Sequence, residues 1–378
     1  MHISISIYER KDIPSVKQFN ERLKKGNCNF KFPESNVSKM FPPYTKISMF
    51  KEYFLAKDEN GEVRGGYMFI NQEFSINNKI SKVKFLQLPL SEAVVNDEYS
   101  IVGPLILQDV QKKCRYVFAL GMGDYEYALP KILKRIGWHM YSVPFYFYIS
   151  DPRAFIKDFE YINNLKKTIS KRILLKIIEL LRLLNLLVIL LNLFSILYRS
   201  FNFKIYSNVK YDIIDEFTGF ADELWETNKG YFSMVANRDK SILNVLYPKE
   251  SKRFHRLLVS KDGIYIGWIV VICTKMNGDK YFGNLKVGTI VDSFSNPKYY
   301  EILVNQAVKY LKILNADLII ANNSNHKLGK AFYKTGFLKG PSNYILALSK
   351  GFKDFFDEKI DFKNSFIMRS DGDGPINL

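Results

Sequence analysis

Lys134-Arg135-Ile136-Gly137-Trp138 and Tyr333-Lys334-Thr335-Gly336-Phe337 are the two stretches whose reading decides the fold. Each ends an amphipathic run with a glycine and an aromatic residue. That is the pattern of a helix stopped at glycine before a buried strand. Working outward, each is preceded by a short apolar strand (116–120 and 318–321) and a helix (127–136 and 327–334). Each is followed by an aromatic or apolar strand, at 144–149 and 343–348. Further upstream each half carries a hairpin. One turns at Asp58-Glu59-Asn60-Gly61, between strands 53–56 and 66–70. The other turns at Lys261-Asp262-Gly263, between strands 256–260 and 265–272. Glycine or asparagine at such turns supplies the left-handed residue a hairpin needs.

The remaining periodicities fill in the same order twice. A strand at 5–8 leads to a helix opened by Pro14, with Val16, Phe19 and Leu23 on one face. Strands at 83–90 and 286–292 follow the hairpins. The second half has helices at 215–229 and 299–314, the latter with Leu303, Ala307, Tyr310 and Leu314 aligned. A repeat of about 200 residues is a duplicated domain and not a solenoid. The expectation is an α/β (α+β) chain with two such domains, 1–150 and 205–350. Each is a mixed, mostly antiparallel sheet flanked by helices. An insert at 151–204 joins them and a tail at 351–378 follows.

Composition limits the alternatives. The 378 residues are 47% hydrophobic, enough for two cores, which excludes global disorder. Three distant cysteines, Cys28, Cys114 and Cys273, have neither zinc nor CxxC spacing, so a reducing compartment is expected. The N-terminus lacks a basic stretch followed by an apolar core, so no secretory signal is expected. The net charge of +17 favours anionic partners: nucleic acid, an anionic membrane face, or phosphate-bearing ligands such as nucleotide-linked sugars. For nucleic acid no zinc finger, basic helix or RNA-binding motif supports the charge, and none is expected as partner. No Walker loop or dinucleotide fingerprint occurs. The Asp371-Gly-Asp373-Gly run lacks the later Glu of a calcium loop, and no metal is expected.

The insert is dominated by 173–198, ILLKIIELLRLLNLLVILLNLFSILY. Its uncharged part, 183–198, would be roughly 24 Å long as a helix, short of a bilayer core. Asn185, Asn192, Ser195 and Arg199 form a narrow polar stripe. Ten Lys/Arg against four Asp/Glu lie in 151–204. An apolar helix in a basic setting suits an anionic membrane surface or burial against a helix partner, and a span is the third reading.

The order of elements resembles the GNAT acyltransferase superfamily. The local carrier is His326-Lys-Leu-Gly329-Lys-Ala-Phe-Tyr333-Lys-Thr-Gly336-Phe337. It is similar to the family's Asn-x-x-Ala-x-x-x-Tyr-x-x-Gly-Phe segment, with His326 for Asn and Gly329 for Ala. The resemblance implies an acyl-CoA donor, acetyl-CoA or another, with Tyr333 as general acid to the leaving thiolate. It also implies a glycine-rich pyrophosphate loop at a helix N-terminus. At that place the first half has Tyr99-Ser100-Ile101-Val102-Gly103-Pro104-Leu105, where Gly103 fits, with Val102 and Leu105 beside it. The second half has Ser293-Phe294-Ser295-Asn296-Pro297-Lys298-Tyr299 and no glycine.

Further runs resemble tandem GNAT proteins of bacterial surface-polysaccharide gene sets and, more distantly, Fem-type aminoacyl ligases. They are Leu224-Trp225-Glu226, Arg238-Asp239-Lys240, Phe254-His255-Arg256, Ile290-Val291-Asp292, Gly340-Pro341-Ser342-Asn343 and the terminal Arg369-Ser-Asp371-Gly-Asp373. The implied substrate-binding set is Trp225, Arg238, Asn343, Arg369 and Asp371. Asp292, at a strand end, and His255, on a hairpin strand, join Tyr333 as catalytic candidates. Each has a plainer reading: a turn carboxylate, a structural histidine, a half-buried tyrosine. The tail either folds over the site or is a loose end. The implied function is acyl transfer to a cell-envelope or polysaccharide precursor at the cytoplasmic membrane face, with a small or sugar-linked acceptor. The alternative is a catalytically degenerate, membrane-associated GNAT pair that binds or assembles.

Overall fold

The structure is a computed structural model that describes residues 2–34, 48–165, 206–356 and 361–372. It divides into two units, Met1–Ser142 with Ile345–Ile360, and Val143–Tyr344 with Asp361–Leu378. The first unit contains β1 (Ser4–Ile7), α1 (Ile13–Lys25), β2 (Phe50–Lys57), β3 (Val63–Ile76), β4 (Lys79–Ser91), α2 (Val102–Lys113), β5 (Val117–Leu120), α3 (Ala128–Arg135) and β6 (His139–Ser142).

The second unit continues with β7 (Phe145–Ile149), α4 (Pro152–Leu165), β8 (Val209–Ile214), α5 (Gly219–Asn228) and β9 (Met234–Ala236). Next come α6 (Lys240–Leu246), β10 (His255–Lys261), β11 (Ile264–Lys275), β12 (Lys286–Ser295) and α7 (Tyr300–Ile313). It ends on β13 (Leu318–Asn322), α8 (His326–Lys334) and β14 (Leu338–Gly340), while β15 (Ile345–Leu348) belongs to the first unit.

Both sheets are mixed and mostly antiparallel, as expected. The first runs β1-β2-β3-β4-β5-β15-β6 and the second β14-β7-β13-β12-β11-β10-β8. Each contains a parallel pair, β4 with β5 and β12 with β13.

The final strands are not where the sequence places them. Residues 144–149 were expected to close the first domain, yet β7 pairs with β13, Tyr148 opposite Ile319. Residues 343–348 were expected in the second, yet β15 pairs with β5, Leu346 opposite Leu120. Both strands are short and apolar, so either satisfies the open edge of either sheet. Periodicity carries no information on that choice.

The deciding glycines do what their spacing predicts. Gly137 and Gly336 have φ of 84° and 94°, a conformation costly to any residue with a Cβ. The amide of Trp138 donates to the Leu133 carbonyl at 3.0 Å, and that of Phe337 to Phe332 at 3.0 Å. These are the six-to-one bonds of a Schellman cap. The cap brings the residue after glycine onto the one five positions earlier. Accordingly, the Phe332 and Phe337 rings lie 4.8 Å apart, and both are fully buried.

The stretch 173–198 lies outside the described residues. Among the described residues no helix is long and apolar enough to cross a membrane.

Candidate active site

Both sheets contain the same irregularity. In the first, the β3–β4 register shifts between Gly66 and Met68, where Leu88 has φ 49°. In the second, the β11–β12 register shifts between Val270 and Val271, opposite Asp292 and Ile290. An extra residue bends a strand and increases its twist. Next to each bulge the parallel pair comes apart. β4 pairs with β5 only at Lys84–Val117 and Phe85–Phe118, then runs on to Ser91. β12 pairs with β13 from Val287 to Ile290, then runs on to Ser295. Strands that part this way leave a wedge with main-chain groups along its walls, and such groups require partners.

The first wedge opens toward the N-terminus of α2. The stretch expected to be a phosphate loop is largely helical: Val102, Gly103 and Leu105 lie in the first turns of α2. Val102 is fully buried, and any contact with a ligand would be through its amide. Leu105 is partly buried. A Cβ at Gly103 would meet nothing nearer than the Ser91 Cβ at 4.0 Å, so packing does not require a glycine there. Glu92, at the end of β4, is not available as a base. It is 3% exposed and accepts from Arg22 Nε at 2.8 Å and Arg64 Nη1 at 3.3 Å.

The second wedge is filled by the chain itself. Asn323 bridges to Met368, and the Ser293 hydroxyl meets the Met368 sulfur at 3.6 Å. Phe366, Ile367 and Met368 are fully buried. Behind them Arg238 joins two other expected site residues. Its Nε donates to Asp292 Oδ1 at 3.1 Å and its Nη2 to Asp371 Oδ1 at 3.0 Å. Its Nη1 donates to the Ala236 carbonyl at 3.0 Å, and its guanidinium lies 5.2 Å from the Phe366 ring. Tyr247 adds a hydroxyl donating to Asp292 Oδ2 at 3.0 Å.

One guanidinium thus faces two buried carboxylates. Burial raises the Asp292 carboxyl pKa above the ordinary range. Arg238 opposes that shift, and Asp371 adds to it. Asp371 is raised by burial in the same way. Arg238 keeps its charge: burial works against the cation, and the two carboxylates outweigh burial. Among the described residues each nitrogen of Arg238 already donates within the cluster. Its geometry ties the tail, through Asp371, to β12.

The other expected residues do not join it. Tyr333 is 38% exposed on α8, its ring edge-on to Tyr146 at 5.7 Å. The helix points Phe332 inward instead. Gly329 is small because the Tyr146 hydroxyl would lie 2.4 Å from a Cβ there. Lys134, the first-half counterpart of Tyr333, is also exposed. His255 Nδ1 is 2.8 Å from the Tyr310 hydroxyl, and burial together with Arg256 lowers its pKa. Trp225, expected among the substrate contacts, is 3% exposed and packs on Phe294 at 5.6 Å in the core. Asn343 is exposed between β14 and β15. Arg369 donates to Asn322 Oδ1 at 2.9 Å, while its Nε is buried without a partner among the described residues.

Tyr247 and Met368 were missed by sequence reasoning. The cap rule was the signal that could have set Tyr333 apart, because the cap assigns the inward position to Phe332. Among the described residues no group of three His, Cys, Asp or Glu side chains is placed to hold a metal.

No protein-family model and no curated protein matches this sequence. Solved structures do. A GCN5-related N-acetyltransferase from Anabaena variabilis superposes with a TM-score of 0.52 at 9% identity, covering 92% of this chain and 72% of its own. A conserved protein of unknown function from Enterococcus faecalis, a probable N-acyltransferase, gives 0.51 at 10% identity, covering 94% and 74%. A tandem GNAT protein from the clavulanic acid biosynthesis pathway gives 0.48 at 10% identity, covering 93% and 99%. The first two likenesses show a GNAT-type fold.

Proposed function

We propose that this chain transfers an acyl group from a CoA thioester to an amine or hydroxyl of a cell-envelope or polysaccharide precursor, with the donor in the wedge of the first unit. One observation carries the reading: β4 parts from β5 after Phe85 and runs on to Ser91 beside α2. The pantetheine arm of CoA is extended and carries two amides, so it suits main-chain pairing in such a wedge. The diphosphate end then reaches the amides at the start of α2, where Gly103 leaves room. Asp97 and Glu98 lie nearby, so backbone amides supply the phosphate contacts there.

The chemistry asks little of side chains. The acceptor's lone pair forms the new C–N or C–O bond as the C–S bond breaks, and the thiolate ends with the acceptor's proton. Holding donor and acceptor in register supplies most of the barrier lowering. Envelope or polysaccharide acceptors, the inner membrane face and the distant Fem-type likeness rest on the sequence resemblance. Attachment through 173–198 rests on its apolar, basic composition.

A binding or assembly role without catalysis is favoured by a different observation, the filling of the second wedge by Met368. Calorimetric titration with acetyl-CoA and free CoA separates the two. Saturable binding, with the stabilisation that mass action requires, is the acyltransferase result. No heat and no thermal shift at millimolar ligand leaves the binding role.

A further inference from the structure

Two cavities of the second unit share Asn296 and Lys298. The larger, of about 420 Å³, lies between the start of α7 and α8 and carries Lys298, Lys327, Lys330 and Lys334. Glu301 is its one acidic residue, already bonded to Lys334 and accepting from the Tyr206 hydroxyl at 2.9 Å. Among the described residues no carboxylate pairs with Lys298, Lys327 or Lys330. The three α8 lysines repeat at helical spacing on one face, and like charges so placed repel. The positive end of α7 adds to the same field. Positive charge gathered on two elements around a cavity is balanced by an anion.

The smaller cavity, of about 250 Å³, is different in kind. Phe220, Tyr265 and Tyr299 give it aromatic walls, with Glu223 and Asn228 as polar groups. Asn228 is 3% exposed. Its Nδ2 donates to the Leu224 carbonyl at 2.8 Å, while its Oδ1 is buried without a donor among the described residues. A buried acceptor without a donor is costly, and a hydroxyl supplied from the cavity would offset that cost. Aromatic faces with a carboxylate and an amide suit a hydroxylated ring.

We infer that the paired cavities bind a glycosyl phosphate or diphosphate, the lysines holding the phosphates and the aromatic lobe the sugar. This rests on the acyltransferase reading and names the class of its acceptor. The ligand here is not the donor, because Met368 already fills the wedge a CoA arm would enter.

Glucose 1-phosphate, a uridine diphosphate sugar, farnesyl diphosphate and CoA are titrated calorimetrically into the full chain and into two variants, with CoA also titrated into Gly103→Ala. The variants are a double change, Lys327→Glu with Lys330→Glu at exposed positions, and Tyr265→Ala. The expected result is binding of glucose 1-phosphate, weakened about tenfold or more by the double change. Tyr265→Ala weakens the sugar ligands and spares farnesyl diphosphate. The tighter of the nucleotide sugar and the prenyl diphosphate identifies a soluble or lipid-linked source. No phosphorylated ligand binding at millimolar concentration, or binding indifferent to the lysines, overturns the inference. So does CoA binding that the lysine change abolishes and Gly103→Ala leaves intact, because the cavity is then the donor's. None of these outcomes prejudges whether acetyl-CoA binds the first unit.

Discussion

The two wedges are built alike and finished differently. In the first unit the space beside Leu88 has no described strand or tail segment across it, and its helix start carries Gly103 beside Asp97 and Glu98. In the second unit the equivalent space holds Met368, and the helix start carries Pro297 and Lys298. The contrast teaches that a shared strand-and-bulge frame specifies a ligand only through what occupies it. Local side chains, and one tail segment, separate the two wedges. The frame is fold; the fillings are function.

The largest effect is expected from Arg238→Ala. It leaves Asp292 and Asp371 buried with no cation between them, and breaking such a pair costs about 3–5 kcal/mol. Denaturant unfolding measures the loss. A cost below 1 kcal/mol, on the scale of about that expected of an exposed pair, would deny that the cluster closes the second wedge. Met368→Ala follows, at about 2–5 kcal/mol for a buried methionine. If the wedge is otherwise competent, this variant gains CoA binding in calorimetry, and the contrast between the units breaks. If it only loses stability, the contrast is sharpened.

A pH series comes next. Burial raises the folded-state Asp292 pKa from 3.8 to about 6. The folded state therefore holds more protons than the unfolded one in that window, and this group's contribution to stability is lost as pH rises through it. Arg238, Asp371 and Tyr247 face the group. Asp292→Asn is expected to gain on the wild type steadily between pH 4 and about pH 6. A difference that does not change with pH would show that no proton is taken up there.

The smallest effect is Gly103→Ala. It is expected to raise stability by a few tenths of a kcal/mol, up to about 0.5, because alanine favours helix. It should nonetheless weaken CoA binding by crowding the helix start. Unchanged affinity would move the donor away from the first wedge.

Much of this was legible from residues. The Asp58 and Lys261 turns, the strands beside them and the two glycine stops all follow from local chemistry, which tertiary context did not override. So did three members of the buried cluster, Arg238, Asp292 and Asp371, though the sequence read Arg238 and Asp371 as substrate contacts and Asp292 as a catalytic candidate, and not as partners of each other. The partnership depends on residue 371 returning to β12, and no periodicity announces a return across a distance of that kind. The cap points Phe332 inward and leaves Tyr333 partly exposed, since one residue's step along a helix turns a side chain by about 100°. The exchange of β7 and β15 could not be read at all, because both are short apolar strands, of five and four residues, and nothing local ties either to one sheet.

That exchange has a consequence during synthesis. The first sheet cannot join β5 to β6 until Ile345–Leu348 has left the ribosome, since β15 lies between them. The N-terminal half therefore waits, unfinished and with an exposed apolar edge, while about two hundred further residues are translated. Separate expression of residues 1–150 would give a chain lacking part of its own sheet, and chaperone demand should be greatest in that interval.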